Sequence, residues 1–172
     1  MNVGKLKTKD IVVLGLLIAL NVVMAELMKI KIIPNILELS FGFLPLALTG
    51  MLFGAIPAMI VGVVGDCLGA LIFYPAYFNP AYTLTALLTG LFYGLFLHRE
   101  PMTRKNTILA QALVSVVCYA FLNSLWAFIW YHIPVQTFLI RMAAQVITFP
   151  IYLLILFLMQ KYRKPLESAL RT

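Results

Sequence analysis

Asp66 and Arg141 carry charges inside otherwise apolar runs, and their surroundings suit binding better than catalysis. Asp66 lies in VGVVGDCLGAL, flanked by Gly62, Gly65 and Gly69. An ionisable side chain at membrane depth is expensive, so it is a functional candidate by default. Two readings stand side by side: a structural acid bonded to a neighbouring helix, for example to Thr49, or a ligand for a substrate's donors. Arg141 shares a helix face with Gln145 and Thr148 through spacings of four and three. Lone arginines near lipid often snorkel to the interface. A polar face on an apolar helix instead points inward, where a guanidinium pairs with an acid or clamps a carboxylate through two N–H bonds. Asn123 and Trp126, three apart, share another such face. Between Asp66 and Asn123 in the chain stands YPAYFNPAYT, residues 74–83, broken by Pro75 and Pro80. Its aromatics Tyr74, Tyr77, Phe78 and Tyr82 read either as an interfacial belt or as a stacking surface for a flat ligand. In the second reading Asn79 and the tyrosine hydroxyls orient that ligand.

Other chemistry is missing from the pattern. No phosphate-binding glycine loop, zinc spacing or Ser/His/Asp arrangement occurs. Cys67 and Cys118 sit singly in apolar runs and read as small buried hydrophobes. His98 and His132 are expected on opposite sides of a membrane, so they cannot share a metal. The expectation is a protein that is no enzyme, with no cofactor and no metal.

The elements that must position these residues are long apolar helices. The 172-residue chain is 63% hydrophobic and 11% charged, against about 25% charged in soluble domains. This composition predicts an all-α integral membrane bundle, residues 1–172 forming one domain. At about 20 residues per crossing, six helices fit: roughly 8–28, 43–53, 57–73, 81–97, 107–131 and 134–162. The run from Ile11 to Ala25 lacks a small-residue cleavage motif and reads as a retained first helix. The second helix is short, and its link to the third is so brief that the two must form a tight hairpin. The net charge of +7 follows topology. Lys5, Lys7, Lys9, Arg99, Arg104, Lys105, Lys161, Arg163, Lys164 and Arg171 fall on one side of a six-helix bundle, Lys29 and Lys31 on the other. The positive-inside rule puts both termini in the cytoplasm. Bases that follow helix ends, with no stripe of interleaved aromatics, argue against nucleic acid.

Loop 1, KIKIIPNILELS, is apolar for an external segment, with a turn at Pro34–Asn35 and polar handles at Lys29, Lys31 and Glu38. It either packs over a binding cavity or lies in the lipid interface. Gly15 and Ala19 form a small-xxx-small pair on the first helix, suited to close packing within the chain or to a partner membrane protein. Six helices without evident inverted halves are few for a self-sufficient carrier, which favours a binding subunit that needs a partner.

With these residues in view, the chain resembles the S components, the substrate-binding membrane subunits, of energy-coupling factor (ECF) transporters. The likeness rests on GLLIALNVV in the first helix, FGFLP, the GD-x-x-G segment and Y-F-x-P-x-Y-T-L-x-A-x-L-x-G-x-x-Y-G. That last block, with LNSLW and the arginine of the sixth helix, is most similar to the folate-specific type. Glu38 departs from it, standing where a basic residue precedes FGF. The resemblance implies high-affinity capture of a vitamin on the external side, folate first and pantothenate or another water-soluble vitamin as the alternative. It implies partners: a transmembrane coupling (T) protein and two cytoplasmic ATPases, docked through the small residues Gly15 and Ala19. The expected binding residues are Glu38, Asp66, Tyr77, Phe78, Asn79, Tyr82, Thr83, Asn123, Trp126, Arg141 and Gln145. A stand-alone proton-coupled carrier using Asp66 is the reading from a different class.

Overall fold

Runs of small and aliphatic residues, uninterrupted by charge, leave the backbone no polar partner in lipid except itself, so helix is dictated. The computed structural model, which describes residues 7–33, 37–99 and 102–171, is built accordingly. Its helices are α1 (Thr8–Glu26), α2 (Phe43–Phe53), α3 (Ala55–Phe73), α4 (Pro80–Leu97), α5 (Arg104–Leu113), α6 (Asn123–Tyr131) and α7 (Val135–Arg171). Between α5 and α6, residues Val114–Leu122 wind as a π-helix, so Arg104–Tyr131 forms one continuous rod. Among the described residues five helical stretches are long and apolar enough to cross a membrane, and α2 is a shorter apolar helix. At 11 residues α2 is about 16 Å long, roughly half a hydrocarbon core.

Several boundaries agree with the expectation and three features add to it. Loop 1 is not irregular: Ile30–Ile33 (β1) and Leu37–Leu39 (β2) pair antiparallel, with Ile30 opposite Leu39 and Lys31 opposite Glu38. Alternating Ile, Lys and Leu, Glu suit a two-sided ribbon. The turn expected at Pro34–Asn35 lies outside the described residues. The π segment had no sequence signature. The third addition is the length of α7, expected to end near Tyr162 but continuing to Arg171 through Pro150 and Pro165. Arg163 explains the extension. It is buried, its Nε donates to Glu167 at 2.7 Å one turn on, and its Nη1 donates to the Leu97 and Arg99 carbonyls at 3.4 and 3.3 Å. The last turn of α4 is thus tied to α7.

α2, α3 and α4 pack with almost nothing between them. A Cβ on Gly94 would collide with the Ala55 backbone, and one on Gly90 with the Ala58 carbonyl. In lipid, where apolar burial gives little drive, such backbone-to-backbone approach supplies the van der Waals contact that holds helices. The α2–α3 turn depends on Gly54 at φ 91°, a conformation open to glycine. Around this layer Phe43, Leu46, Met51, Tyr93, Leu97, Val114 and Leu156 are buried together. Inside them Tyr93 donates to Gln111 and Gln111 to Ser115, each at 2.8 Å. Gln111 and Ser115 are therefore structural partners at the start of the π segment.

Candidate functional site

The bundle does not close everywhere. A cavity of about 710 Å³ opens among α1, α3, α4, α6, α7 and the β-hairpin. That lies within the roughly 300–1,000 Å³ usual for small-molecule sites. Its walls follow from where polar residues interrupt apolar helices. α3 contributes Asp66, α4 Tyr82, Thr85 and Thr89, the π segment Tyr119, α6 Asn123 and Ser124, and α7 Arg141, Gln145 and Tyr152. Glu38 enters from β2 and Glu26 and Lys29 from the end of α1.

Six of the sequence-predicted residues therefore meet in one space: Glu38, Asp66, Tyr82, Asn123, Arg141 and Gln145. The others take different positions. Thr83 stands behind Asp66 and donates to its Oδ2 at 2.6 Å. The partner expected for a structural Asp66 was Thr49, but Thr49 donates to the Pro45 carbonyl of its own helix at 2.7 Å. Trp126 also stands behind the wall, its Nε1 donating to the Thr85 hydroxyl at 3.0 Å. Trp130 packs edge-on against it, centroids 6.1 Å apart. Asn79 caps α4: it is buried, and its Oδ1 accepts the Ala81 N–H at 3.0 Å. Phe78 is 38% exposed and outside the cavity wall. Only the backbone of Tyr77 is described, in a short 3₁₀ turn at Pro75–Tyr77. The 74–83 segment is thus an outer shoulder whose inner end, Tyr82, reaches the cavity.

Sequence reasoning missed several wall residues. Asn21 on α1 is 6% exposed, donates to the Gly42 carbonyl at 2.7 Å and fits against Gly65, where any side chain would collide with it. An asparagine in an apolar helix was the available signal. Glu26 and Lys29 pair at 3.3 Å at the cavity's edge, and the Lys29 ammonium lies 6.0 Å from the Tyr74 ring centre. Tyr152 accepts the Ser40 N–H at 3.1 Å and stacks at a tilt on Phe43, 4.4 Å between centroids, anchoring the chain just after the hairpin. On α7, Thr148 donates to the Gln145 Oε1 at 3.0 Å, so this polar face is internally bonded as its spacing required. Gly15 and Ala19 lie on the outer face of α1, exposed, with open space where a Gly15 side chain would project.

No group of three His, Cys, Asp or Glu suited to a metal occurs among the described residues. The arrangement can do two things chemically. Carboxylates and amide oxygens can accept hydrogen bonds from a ligand's N–H groups, and Arg141 can hold an anion in the same enclosed space.

Comparison with known proteins identifies the family. The family model described as the ECF-type riboflavin transporter S component matches residues 5–164. The folate transporter FolT of Clostridium novyi is 30% identical over 152 residues, covering 88% of this chain and 87% of that protein. The folate transporter FolT of Leuconostoc mesenteroides is 31% identical over 129 residues, covering 74% and 68%. A crystal structure of FolT bound with folic acid superimposes with a TM-score of 0.82 at 34% identity, covering 90% of this chain and 94% of the other.

Proposed function

We propose that this chain, which belongs to the S-component family of ECF-type transporters, captures folate in the cavity between α3, α4, α6 and α7. As a transporter component of this kind it is a multi-pass protein of the cell membrane. The observation that carries the folate reading is the pairing of opposite chemistries in one enclosure: Asp66 and Glu38 with Arg141. Folate needs both. Its pterin presents neighbouring amino and ring N–H donors, which a carboxylate oxygen pair accepts; its glutamate presents carboxylates, which a guanidinium clamps. A riboflavin-type ligand carries no carboxylate for Arg141. Tyr82 and Tyr119 offer ring faces for the flat portion. The relatives named above point to the same ligand.

In this reading six helices cross the membrane, α2 included, with both termini cytoplasmic. The protein hydrolyses nothing itself. A T protein docks on the outer face of α1, where Gly15 and Ala19 permit close approach, and two ATPases bound to that partner supply the energy.

Tryptophan fluorescence of the purified protein in detergent tests the proposal. Folate at submicromolar concentration quenches it without any partner, because Trp126 backs the cavity wall. Quenching by pantothenate and none by folate would replace the ligand. Uptake into vesicles holding this chain alone under a pH gradient would replace the whole mechanism. For docking, Gly15→Leu leaves folate binding intact and abolishes ATP-dependent uptake in the assembled complex. Loss of binding in that variant would remove Gly15 from the docking face.

A further inference from the structure

Most hydroxyl groups inside this bundle are bonded, Thr83 and Thr148 to side chains and others along their own helices. Thr49 donates to the Pro45 carbonyl at 2.7 Å, Thr89 to the Thr85 carbonyl at 2.8 Å and Thr85 to the Ala81 carbonyl at 3.3 Å. Each uses the carbonyl four residues back in its own helix, the local option always open to a helical hydroxyl in an apolar medium. Ser124 does not. It is 1% exposed, lines the cavity, and its Oγ is buried without a hydrogen-bond partner among the described residues. Its neighbour Asn123 also lines the cavity, and its Oδ1 is likewise buried and unpartnered. Polar groups buried this way are rare, and each calls for an explanation.

The surrounding polar groups show that the pair is particular. Thr85 already accepts from the Trp126 indole, and Tyr152 from the Ser40 amide. Directly before the pair the helix is wound as π, and the Asn123 N–H bonds five residues back, to the Cys118 carbonyl. Such widened turns concentrate at functional sites, where they re-aim side chains. Here the widened segment delivers two adjacent polar residues to one cavity.

We propose that Asn123 and Ser124 form a neutral subsite that reads the amino-bearing heterocycle of the ligand, with Ser124 a specificity-determining residue. An amide oxygen only accepts, so its partner must be an N–H or O–H of the ligand. Ionised carboxylates present acceptors alone, so the carboxylates of the glutamate tail cannot serve the Asn123 oxygen. A carboxylate that takes the ring N–H and one amino hydrogen of a pterin leaves the second amino hydrogen for the Asn123 oxygen. The acceptor atoms of the pterin ring can take the Ser124 hydroxyl proton. This inference rests on the folate reading and assigns the part of folate that the α6 wall recognises.

The test is a ligand-variant cycle read by fluorescence quenching, using folate and its 2-desamino analogue on the wild-type protein, Ser124→Ala and Asn123→Ala. Ser124→Ala weakens folate binding about 5- to 20-fold. The melting temperature of the unliganded variant is unchanged or higher, because an unsatisfied buried group has been removed. Removing the amino group costs the wild type about tenfold or more and costs Asn123→Ala a factor about threefold smaller, since one of its acceptors is already gone. Wild-type folate affinity in Ser124→Ala, or equal analogue losses in wild type and Asn123→Ala, overturns the subsite and leaves the folate reading standing. Failure of the wild-type protein to bind folate overturns both.

Discussion

The α2–α3–α4 layer and the α6–α7 wall are built on opposite plans. In the layer, glycines bring backbones together until no side chain fits between α4 and α3 at Gly94 and Gly90. In the wall, α6 and α7 meet edge-on at Phe128 and Phe138 and border a space of about 710 Å³ lined by Asn123, Ser124, Arg141 and Gln145. The difference separates two jobs that one apolar composition would otherwise confuse. Packing against lipid cannot rely on a hydrophobic drive, so rigidity is supplied by close contact. Binding a polar ligand needs polar groups that face an open space. Asp66 belongs to both plans: it sits on a helix of the tight layer, is held by Thr83 from behind, and faces the open side.

The largest expected effect breaks the layer. Gly94→Leu forces a branched side chain into the Ala55 backbone. Overpacking of this kind costs about 1–3 kcal/mol in adaptable cores and more against backbone. Thermal unfolding followed by size-exclusion chromatography in detergent should show loss of the monodisperse protein. A variant as stable as wild type would mean the layer is not the rigid element. Next comes the wall. Arg141→Ala should weaken folate binding by roughly 10- to 100-fold, the equivalent of about 1.5–3 kcal/mol for a charge-assisted hydrogen bond. Undiminished affinity by calorimetry removes Arg141 from the ligand site. Asp66→Asn sharpens the boundary between the plans. The amide still accepts from Thr83 but offers one acceptor oxygen in place of two. Affinity should fall about tenfold while stability moves by less than about 1 kcal/mol. The reverse outcome, lost stability with intact affinity, would place Asp66 wholly in the layer.

How much of this was legible in the chain depends on the range of the signal. Helix positions were readable because apolar runs and the prolines at 57 and 80 are local; α2 spans Phe43–Phe53 as its pattern implies. Arg141 and Gln145 were readable as a face because α-helical spacing holds across that stretch. The β-hairpin was hidden because its residues are as apolar as the helices around it. The π segment was hidden because nothing in VSVVCYAFL marks a five-residue hydrogen bond. Asn21 and Ser124 went unread for a further reason. Their importance arises from Gly65 and from a missing partner respectively, and both are facts of three-dimensional arrangement. Phe78 and Asn79 carried a signal that pointed elsewhere: an aromatic, proline-flanked segment advertises a binding surface, yet here it ends one helix and caps the next.

The smallest expected effect falls on Trp126, where layer and wall touch. Its indole N–H donates to Thr85 on α4, so it links the cavity-facing turn of the tight layer to the opposite side. Trp126→Phe keeps an aromatic body and removes that single neutral hydrogen bond, worth about 1 kcal/mol. The Thr85 hydroxyl still donates to the Ala81 carbonyl, so it is not left without a partner. Folate affinity measured by calorimetry should therefore drop only about 3- to 5-fold, through a wall less firmly held. A loss approaching that of Arg141→Ala would mean the indole touches the ligand directly, moving Trp126 from the support of the cavity to its lining.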